Sequence, residues 1–415
     1  MMTIPSGPAR RFRILLRKCR TDQPPGPDPP VLVQVIDGQI HLQARLAKVA
    51  LGLTIAAEVD AIDPMLVSLS YLDSPQSPTL CEGTIDPLQV PENPKAMPED
   101  FLEGMHEAWK TSAREAGKYA MTCVQLRGKR GEVIATDGKQ ALIQNGFKFP
   151  FRDDLLVPAI PLFGAKDLFQ QEEVTLGKAD GNLVVRAGPW TVWLKIDAEA
   201  RFPPTADAIP RGPSPTVLDV PAMDAMRLAD ALGALPCEDR QSRALLFVLE
   251  EQPKIWACSD TLKIPIELSV NDLRITGPPR RVAANAGNFE RALYLRFRQF
   301  QFVNEERPWV AADSRRTYFA TVIDPSTFPP LPVSLDAPQP ISNQEVPLTA
   351  IPPGRVPIEL EPLVTDPLAE AENLRTLFGE GHARITRLIS FLKNLRNAPQ
   401  IVNASISPVR PLSLE

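Results

Sequence analysis

The sequence predicts an α+β fold built from tandem repeated units, each with two helices on antiparallel sheets. The pattern is clearest over residues 134–210. There, a turn at Asp137-Gly138 joins two apolar runs, and a short amphipathic helix follows. Three strands come next, separated by Asp180-Gly181 and Gly188-Pro189. The same order of elements begins again after residue 213, so we expect an internal repeat.

Three landmarks of the first copy recur in the second at nearly one offset along the chain. The matched pairs are Asp137 and Asp260, Val157 and Val282, and Ile196 and Ile323. In both copies the second landmark leads into a short helix and the third ends a strand. We therefore predict two copies of one α+β unit, over residues 98–212 and 213–325.

Bulk composition sets limits on the function. The 415 residues are 44% hydrophobic and 23% charged, as in ordinary globular proteins, and the formal net charge is −5. That charge argues against wrapping nucleic acid by bulk attraction, but it leaves room for a locally basic surface. Five cysteines without a CxxC pair indicate reduced thiols in a cytoplasm. No apolar run is long enough for a membrane helix, so we expect no membrane partner.

The first 97 residues are predicted to be a divergent β-rich region and a connector. The run Arg11 to Lys18 alternates in polarity like a strand, and a proline-rich break follows. Residues 31–71 show strands around a turn at Asp37-Gly38. This region has too few helix signals to be a full copy of the later unit. Residues 73–98 contain repeated X-Pro pairs, typical of a connector.

The chain holds 45 prolines, which cluster near its two ends. Residues 326–365 have proline every few positions and are predicted to be a semi-extended linker. Residues 366–397 show apolar residues at helical spacing with a basic face, and residues 398–415 are a predicted flexible tail. The helical segment either docks on the body or pairs with a second copy, or it binds a partner or a membrane surface.

The motifs of residues 98–325 resemble the bacterial DNA polymerase III beta sliding clamp. Ala-Thr-Asp-Gly at 135–138, Val157-Pro158 before a helix, the Asp180-Gly181 hairpin and Arg-Phe-Pro at 201–203 stand in that family's order. The resemblance implies a DNA-clamp fold and a non-enzymatic protein that encircles duplex DNA without sequence preference. It covers that family's middle and last domains. The first domain would be absent, degraded or replaced.

The resemblance also implies helices that face the DNA, here over residues 99–116, 160–169, 222–234 and 285–295. Cations on or near these helices are the candidate phosphate contacts. They are Lys110, Arg114, Lys118, Lys166, Arg227, Arg240, Arg243, Arg280, Arg281 and Arg291. Glu103, Glu107, Asp167 and Glu290 lie among them, so the surface is less basic than such a role favours.

A second implied site is a pocket for peptides of DNA polymerases or repair proteins. Thr136, Gly138, Lys139, Pro203 and Val322 match the family's positions, and Tyr119 is a further candidate. Gln140 and Ala141 stand where the family has Arg and Leu, Asp207 where it has Arg, and Asp324 where it has Met. Three of these changes remove apolar or cationic character. Either the partners carry a different motif, or the pocket binds no peptide.

No other chemistry is indicated. The sequence has no phosphate-binding glycine loop, no nucleophile with a partnering base, and three histidines that are far apart, so we expect no cofactor, no metal and no catalysis. The leading hypothesis is a clamp-like homo-oligomeric ring of two or three chains. The alternative is a clamp-fold adaptor that holds a protein partner without encircling DNA, and a third is an enzyme whose site the sequence hides.

Overall fold

The computed structural model describes residues 4–20, 27–57, 63–72, 81, 87–210 and 215–332. Nearly all of the predicted linker, and the whole of the predicted helical segment and tail, lie outside these residues. Five α-helices occur in the described part: α1 (Ser6–Lys18), α2 (Phe101–Thr111), α3 (Lys166–Phe169), α4 (Ala222–Ala234) and α5 (Ala286–Tyr294). A 3₁₀ turn over Pro161–Gly164 directly precedes α3.

Twenty-two strands form three antiparallel sheets in the described residues. Those before α4 are β1 (Val31–Ile36), β2 (Gln39–Arg45), β3 (Val49–Ala56), β4 (Met65–Val67), β5 (Lys95–Ala96), β6 (Cys123–Arg127), β7 (Glu132–Thr136), β8 (Gln140–Gln144), β9 (Asp154–Pro158), β10 (Val174–Ala179), β11 (Asn182–Ala187), β12 (Trp190–Lys195) and β13 (Thr216–Asp219). Those after it are β14 (Ala244–Leu249), β15 (Lys254–Cys258), β16 (Ile266–Leu268), β17 (Arg274–Thr276), β18 (Arg280–Asn285), β19 (Gln299–Phe302), β20 (Trp309–Ala312), β21 (Arg316–Ala320) and β22 (Val322–Ile323).

One motif, a strand, a helical segment and three strands, recurs along the chain. It appears as β5-α2-β6-β7-β8, as β9-α3-β10-β11-β12, as β13-α4-β14-β15-β16 and as β18-α5-β19-β20-β21. The N-terminal region supplies a fifth copy without its leading strand, α1-β1-β2-β3. Two motifs make up each predicted unit, so the N-terminal region corresponds to half a unit.

The predicted N-terminal strand is wrong, because residues 6–18 are helical. Arg11 to Ile14 alternate in polarity, but the buried side chains are Ala9, Phe12, Leu15 and Leu16, which share one helical face. Pro8 lies in the first turn, where backbone N–H groups have no helical acceptor, so it does not interrupt the helix.

Two helices and one strand are shorter in the structure than predicted. The helix expected over 99–116 ends at Thr111, because the carbonyls of its last turn accept from the backbone N–H of Ser112 and the chain then becomes extended. The strand expected from Tyr119 begins only at Cys123. The helix expected over 160–169 is a 3₁₀ turn followed by one α-helical turn.

Each large sheet joins strands from both sides of a predicted unit boundary. The eight-stranded sheet has the order β4-β1-β2-β3-β12-β11-β10-β5, so the N-terminal strands pair with the first unit through β3 and β12. The nine-stranded sheet, β17-β13-β19-β20-β21-β8-β7-β6-β9, joins the two units through β8 and β21. The five-stranded sheet is β16-β15-β14-β18-β22. The unit boundaries stay predictions.

The helices cover one face of these sheets. One buried cluster, which runs from Ile4 to Leu194, lies under α1, α2 and α3, and a second lies under α4 and α5. On the opposite faces, proline-containing segments cover smaller clusters. Phe202 and Ile209 pack over Ile134 and Phe319, and Phe328 packs beside Ala283. Every sheet therefore has a helix-covered face and an outer face.

Candidate functional site

The helical segments form a continuous row, here called the helical layer. α1 packs against the turn over Pro161–Gly164, which packs on α2, and α5 packs along α4. Between α2 and α5 the link is electrostatic: an Arg291 guanidinium nitrogen lies 2.5 Å from a carboxylate oxygen of Glu107 and donates to the Glu107 carbonyl over 2.9 Å. The layer thus runs from the N-terminal region through both predicted units.

The most basic part of this layer is α1, which is not among the helices predicted to face the DNA. Arg10, Arg11 and Arg17 are exposed on it, and the helix contains no acidic residue. The alternating polarity of Arg11 to Lys18 predicted a strand, so the helix was not recognised. The spacing of Phe12, Leu15, Leu16 and Cys19 was the signal that could have found it.

Six of the predicted phosphate contacts are exposed at or beside the helical layer. Lys110, Lys166 and Arg227 lie on helices, Arg114 and Lys118 follow α2, and Arg240 follows α4. Carboxylates accompany two of them, because Glu107 lies 3.1 Å from Lys110 and Asp224 lies 3.9 Å from Arg227. Of the five described α-helices, α1 is the one that contains no Asp or Glu.

Three of the predicted contacts have surroundings that do not favour phosphate binding, and their role stays a prediction. Arg243 is only 4% exposed, donates to the Leu232 carbonyl at the end of α4 and lies 3.0 Å from Glu290. Arg291 is occupied by Glu107. Arg281 shares a face of β18 with Ala283, which is the outer face of its sheet. The burial of Arg243, the ion pair of Arg291 and the outer-face position of Arg281 each argue against a phosphate contact at the helical layer.

Arg280 is a fourth predicted phosphate contact. It lies on β18 and forms a hydrogen bond to a neutral side chain. Its Nε donates to the Thr216 hydroxyl over 3.0 Å, and the side chain is half-buried. This bond ties β18 to the start of β13, so the arginine links two sheets.

The predicted peptide pocket is partly assembled by the fold. The backbone N–H of Ala120 donates to the Arg201 carbonyl, which brings Tyr119 toward the segment with Pro203. Met121 approaches Gly138, and the N–H of Thr321 donates to the Lys139 carbonyl beside Val322. These contacts gather parts of both units at the Asp137-Gly138 turn.

The remaining predicted pocket residues have local structural roles. Thr136 is buried, and its hydroxyl donates to the Gln140 carbonyl and accepts from the Gly138 N–H. Asp324 accepts from the Ser326 N–H, which lowers the pKa of its carboxyl. Asp207 is exposed in a 3₁₀ turn. None of these three supplies an apolar wall.

A polar cleft of about 490 Å³ opens beside this turn, between the two units. Lys139 and Gln140 line one side, and Arg240, Asn285 and Asn288 line the other. The Lys139 ammonium donates to the Gln241 amide oxygen over 2.5 Å, across the unit boundary. The cleft combines residues predicted separately for the peptide pocket and for the DNA surface.

His106 sits in the helical layer between α2 and the turn over Pro161–Gly164. Its ring stacks on Trp109 with centroids 5.3 Å apart, and Gly164 approaches so closely that a Cβ there would lie 2.2 Å from the imidazole. Burial, and after it the positive charge of Lys110, lowers the pKa of His106 to about 4. At neutral pH the imidazole is therefore uncharged.

This burial predicts a pH-dependent stability. An imidazole whose pKa is lower in the folded chain takes up its proton first in the unfolded chain, so His106 makes stability rise with pH between about 4 and 6.5. We expect His106→Gln to flatten the dependence of Tm on pH in this window. Melting curves of both proteins measure it, and parallel profiles would show that His106 does not titrate as described.

Among the described residues, no group of three or more His, Cys, Asp or Glu side chains could hold a metal ion. The same part of the chain contains no helix long and apolar enough to cross a membrane.

Several solved structures of DNA polymerase III beta subunits share this arrangement. A putative beta subunit from Eubacterium rectale matches with a TM-score of 0.63 at 12% identity, over 76% of this chain and 97% of that one. A sliding clamp from Pseudomonas aeruginosa matches with 0.63 at 15%, over 77% and 98%. The C. crescentus beta sliding clamp matches with 0.63 at 12%, over 78% and 98%.

No family model and no curated protein matches this sequence. The structural likeness shows that the chain has an α+β DNA-clamp fold. In particular, it is the fold of the bacterial DNA polymerase III beta sliding clamp, which confirms the predicted fold class. The matches span more of the chain than residues 98–325, which are just over half of it. The predicted extent was therefore too short, because the N-terminal region supplies a motif of the same kind.

Proposed function

We propose that this protein is a sliding-clamp-like, non-catalytic factor that encircles duplex DNA and tethers replication or repair proteins to it. The observation that supports this most is the helical layer: five helical segments on one side of three sheets, with the exposed arginines of α1 at one end. Contacts from such helices to phosphates neutralise charge and release counterions without reading bases, which suits a protein that slides.

Ring closure requires that copies of the chain join edge to edge. Strand β16 ends the five-stranded sheet, and Ile264 and Ile266 are exposed there, with 71% and 39% of their surface accessible. An apolar strand at an open edge is a surface that proteins cover by pairing. In our proposal this edge joins the N-terminal sheet of the next chain, and two or three chains close the ring.

The partners proposed for the ring are peptides of DNA polymerases or repair proteins. The region predicted to bind them is polar, since Gln140, Asn285 and Asn288 line the cleft and Asp324 lies near it. A peptide anchored only by apolar side chains would remove water from these polar groups without supplying new hydrogen bonds, which is unfavourable. The proposed partners therefore carry polar or charged anchors.

Retention on DNA circles tests the encircling function. We expect the full chain to be oligomeric by light scattering and, once assembled around a nicked plasmid, to stay on the closed circle during gel filtration. Linearising the plasmid should release it, because a ring held by topology slides off an end. A monomer that is retained equally on circles and linear DNA would contradict the proposal.

The adaptor alternative rests on a different observation. Helix α4 exposes Met223 and Met226, with accessible fractions of 76% and 43%, and Arg227 is its one cation. Flexible methionine side chains suit a protein contact better than a phosphate contact. An adaptor would be monomeric and indifferent to DNA topology, so the plasmid experiment separates the two functions.

A further inference from the structure

A second pocket lies where the N-terminal region meets the first unit, and we call it the seam pocket. Its volume is about 470 Å³. Arg20 follows α1, Lys48 precedes β3, Trp109 and Arg114 belong to the end of α2 and the loop after it, and Thr122 precedes β6. It is separate from the polar cleft, with which it shares no lining residue.

The charged side chains that line the seam pocket are all cations. Within the described residues no carboxylate lines it, and its walls are otherwise small, aromatic, proline or hydroxyl-bearing residues. Arg20 is paired with Asp28 at 2.5 Å, so its charge is partly compensated. Lys48 and Arg114 form no ion pair and donate no side-chain hydrogen bond to another described residue. These two side chains are the ones that can bind a ligand.

Arg114 is held in place at this pocket. Its guanidinium lies over the Trp109 ring at 4.1 Å from the centroid, and Trp109 is itself stacked on His106. Packing on the ring fixes the planar group while its N–H donors stay available. Burial, and after it the positive charge of Arg291, lowers the pKa of Arg114. The negative charge of a nearby anion would favour the charged guanidinium and so act against both effects.

Lys48 is the second lining cation without an ion pair. It belongs to the segment between β2 and β3, whose backbone is fixed because the Lys195 N–H donates to the Lys48 carbonyl over 2.9 Å. Its charge also acts on Cys123 at the pocket floor. Burial raises the pKa of that thiol, and Lys48 opposes the rise. The thiol is therefore not a competing anion at neutral pH.

The ligand class follows from charge, geometry and size. A fixed guanidinium and an ammonium with no internal partner suit a tetrahedral oxyanion, which accepts a forked pair of bonds from arginine and a point-charge contact from lysine. The volume exceeds that of one phosphate and leaves space for an attached group. We propose that the seam pocket binds a phosphate group, with Lys48 and Arg114 as its ligands.

The phosphate has two chemical sources, the terminal phosphate of a nucleic-acid strand or a free phosphate ion. Isothermal titration of the full chain tests both. The probes are inorganic phosphate, pyrophosphate, and a short single-stranded oligonucleotide with either a 5′-phosphate or a 5′-hydroxyl. Tighter binding of the 5′-phosphorylated oligonucleotide than of its 5′-hydroxyl form identifies a strand end as the ligand. If inorganic phosphate binds as tightly as the phosphorylated oligonucleotide, the ligand is the free ion.

Two variants and a matched control locate the site. We expect Lys48→Ala and Arg114→Met each to weaken binding of the preferred probe at least tenfold. Lys178→Ala should change nothing, because this exposed lysine on β10 pairs with Asp153 outside the pocket. Lys48 is exposed and has no side-chain partner, so its variant should fold, and unchanged melting verifies this.

No binding of any probe at millimolar concentration, or binding that both variants retain, would overturn the assignment. Neither result depends on whether the chain forms a ring. The titration can therefore contradict the phosphate site while the plasmid experiment supports the ring, or the reverse.

Discussion

Replacing Arg10, Arg11 and Arg17 by glutamate is expected to weaken the affinity for duplex DNA on the order of 100-fold near 0.15 M salt. All three are exposed on α1, which has no carboxylate of its own to compensate them. Each phosphate contact that is lost should lower the slope of log K against log salt by about 0.9, so three contacts lower it by nearly three.

Fluorescence titrations at four or more salt concentrations measure this effect. The matched control replaces three exposed arginines of the outer faces, Arg186, Arg274 and Arg281, by glutamate. The control changes the net charge by the same amount on the side of the sheets away from the helices. If both triple variants lost affinity equally, DNA would be attracted by overall charge, and the helical layer would not be its binding surface.

The second large effect concerns the link between α2 and α5. Removing the charge of Arg291 with Arg291→Met should destabilise the folded chain by about 3 kcal/mol, because it leaves Glu107 largely buried without its main partner. Both side chains are only 15% exposed, and the same guanidinium also serves the Glu107 carbonyl. The variant removes the one ion pair that joins these two helices in the described residues.

A double-mutant cycle with Glu107→Gln isolates the pair. Burial raises the pKa of Glu107, but Arg291 and Lys110 outweigh it and the pKa is lowered. The stabilisation is therefore complete above the unfolded pKa of a glutamate and is lost as the pH falls through the lowered value. Urea unfolding should show a larger coupling energy at pH 7 than at pH 3.

Lys254→Met is the control for this cycle. Lys254 also pairs with a glutamate, at 3.1 Å from Glu267, but both side chains are more than 40% exposed. Solvent screens such a pair, so the variant should cost less than about 0.5 kcal/mol. A similarly small effect of Arg291→Met would mean that α2 and α5 are held together by packing alone.

Local sequence patterns were sufficient for much of the fold. The Asp137-Gly138 turn, the three-strand meander up to Lys195 and helix α4 lie where the pattern placed them. These elements depend on turn residues and on periodicity, which act between neighbours in the chain. Helix α1 was not predicted because its short run fits both the alternation of a strand and the spacing of a helix. The residues that are buried against the core follow the helical spacing.

The candidate site could be predicted less well than the fold. A cation at a helix end can face solvent, pair with a distant carboxylate or cap another helix, and Lys166, Arg291 and Arg243 are one example of each. Nothing within a few residues of each arginine distinguishes these cases. The seam pocket could not be predicted, since Lys48 and Arg114 are far apart in sequence and only the fold brings them to one pocket.

The sequence by itself determined that one α+β motif is repeated, where most of its turns fall, and that the chemistry of an enzyme is not evident in it. Only the tertiary structure decided which charges stay at the surface, that α1 is the basic end of the helical layer, and that the N-terminal region shares a sheet with the first unit. The physical reason is the distance along the chain over which each interaction acts. Turns and periodicity are fixed by steric contacts between nearby residues, whereas burial and ion pairing depend on side chains that the fold brings together from distant positions.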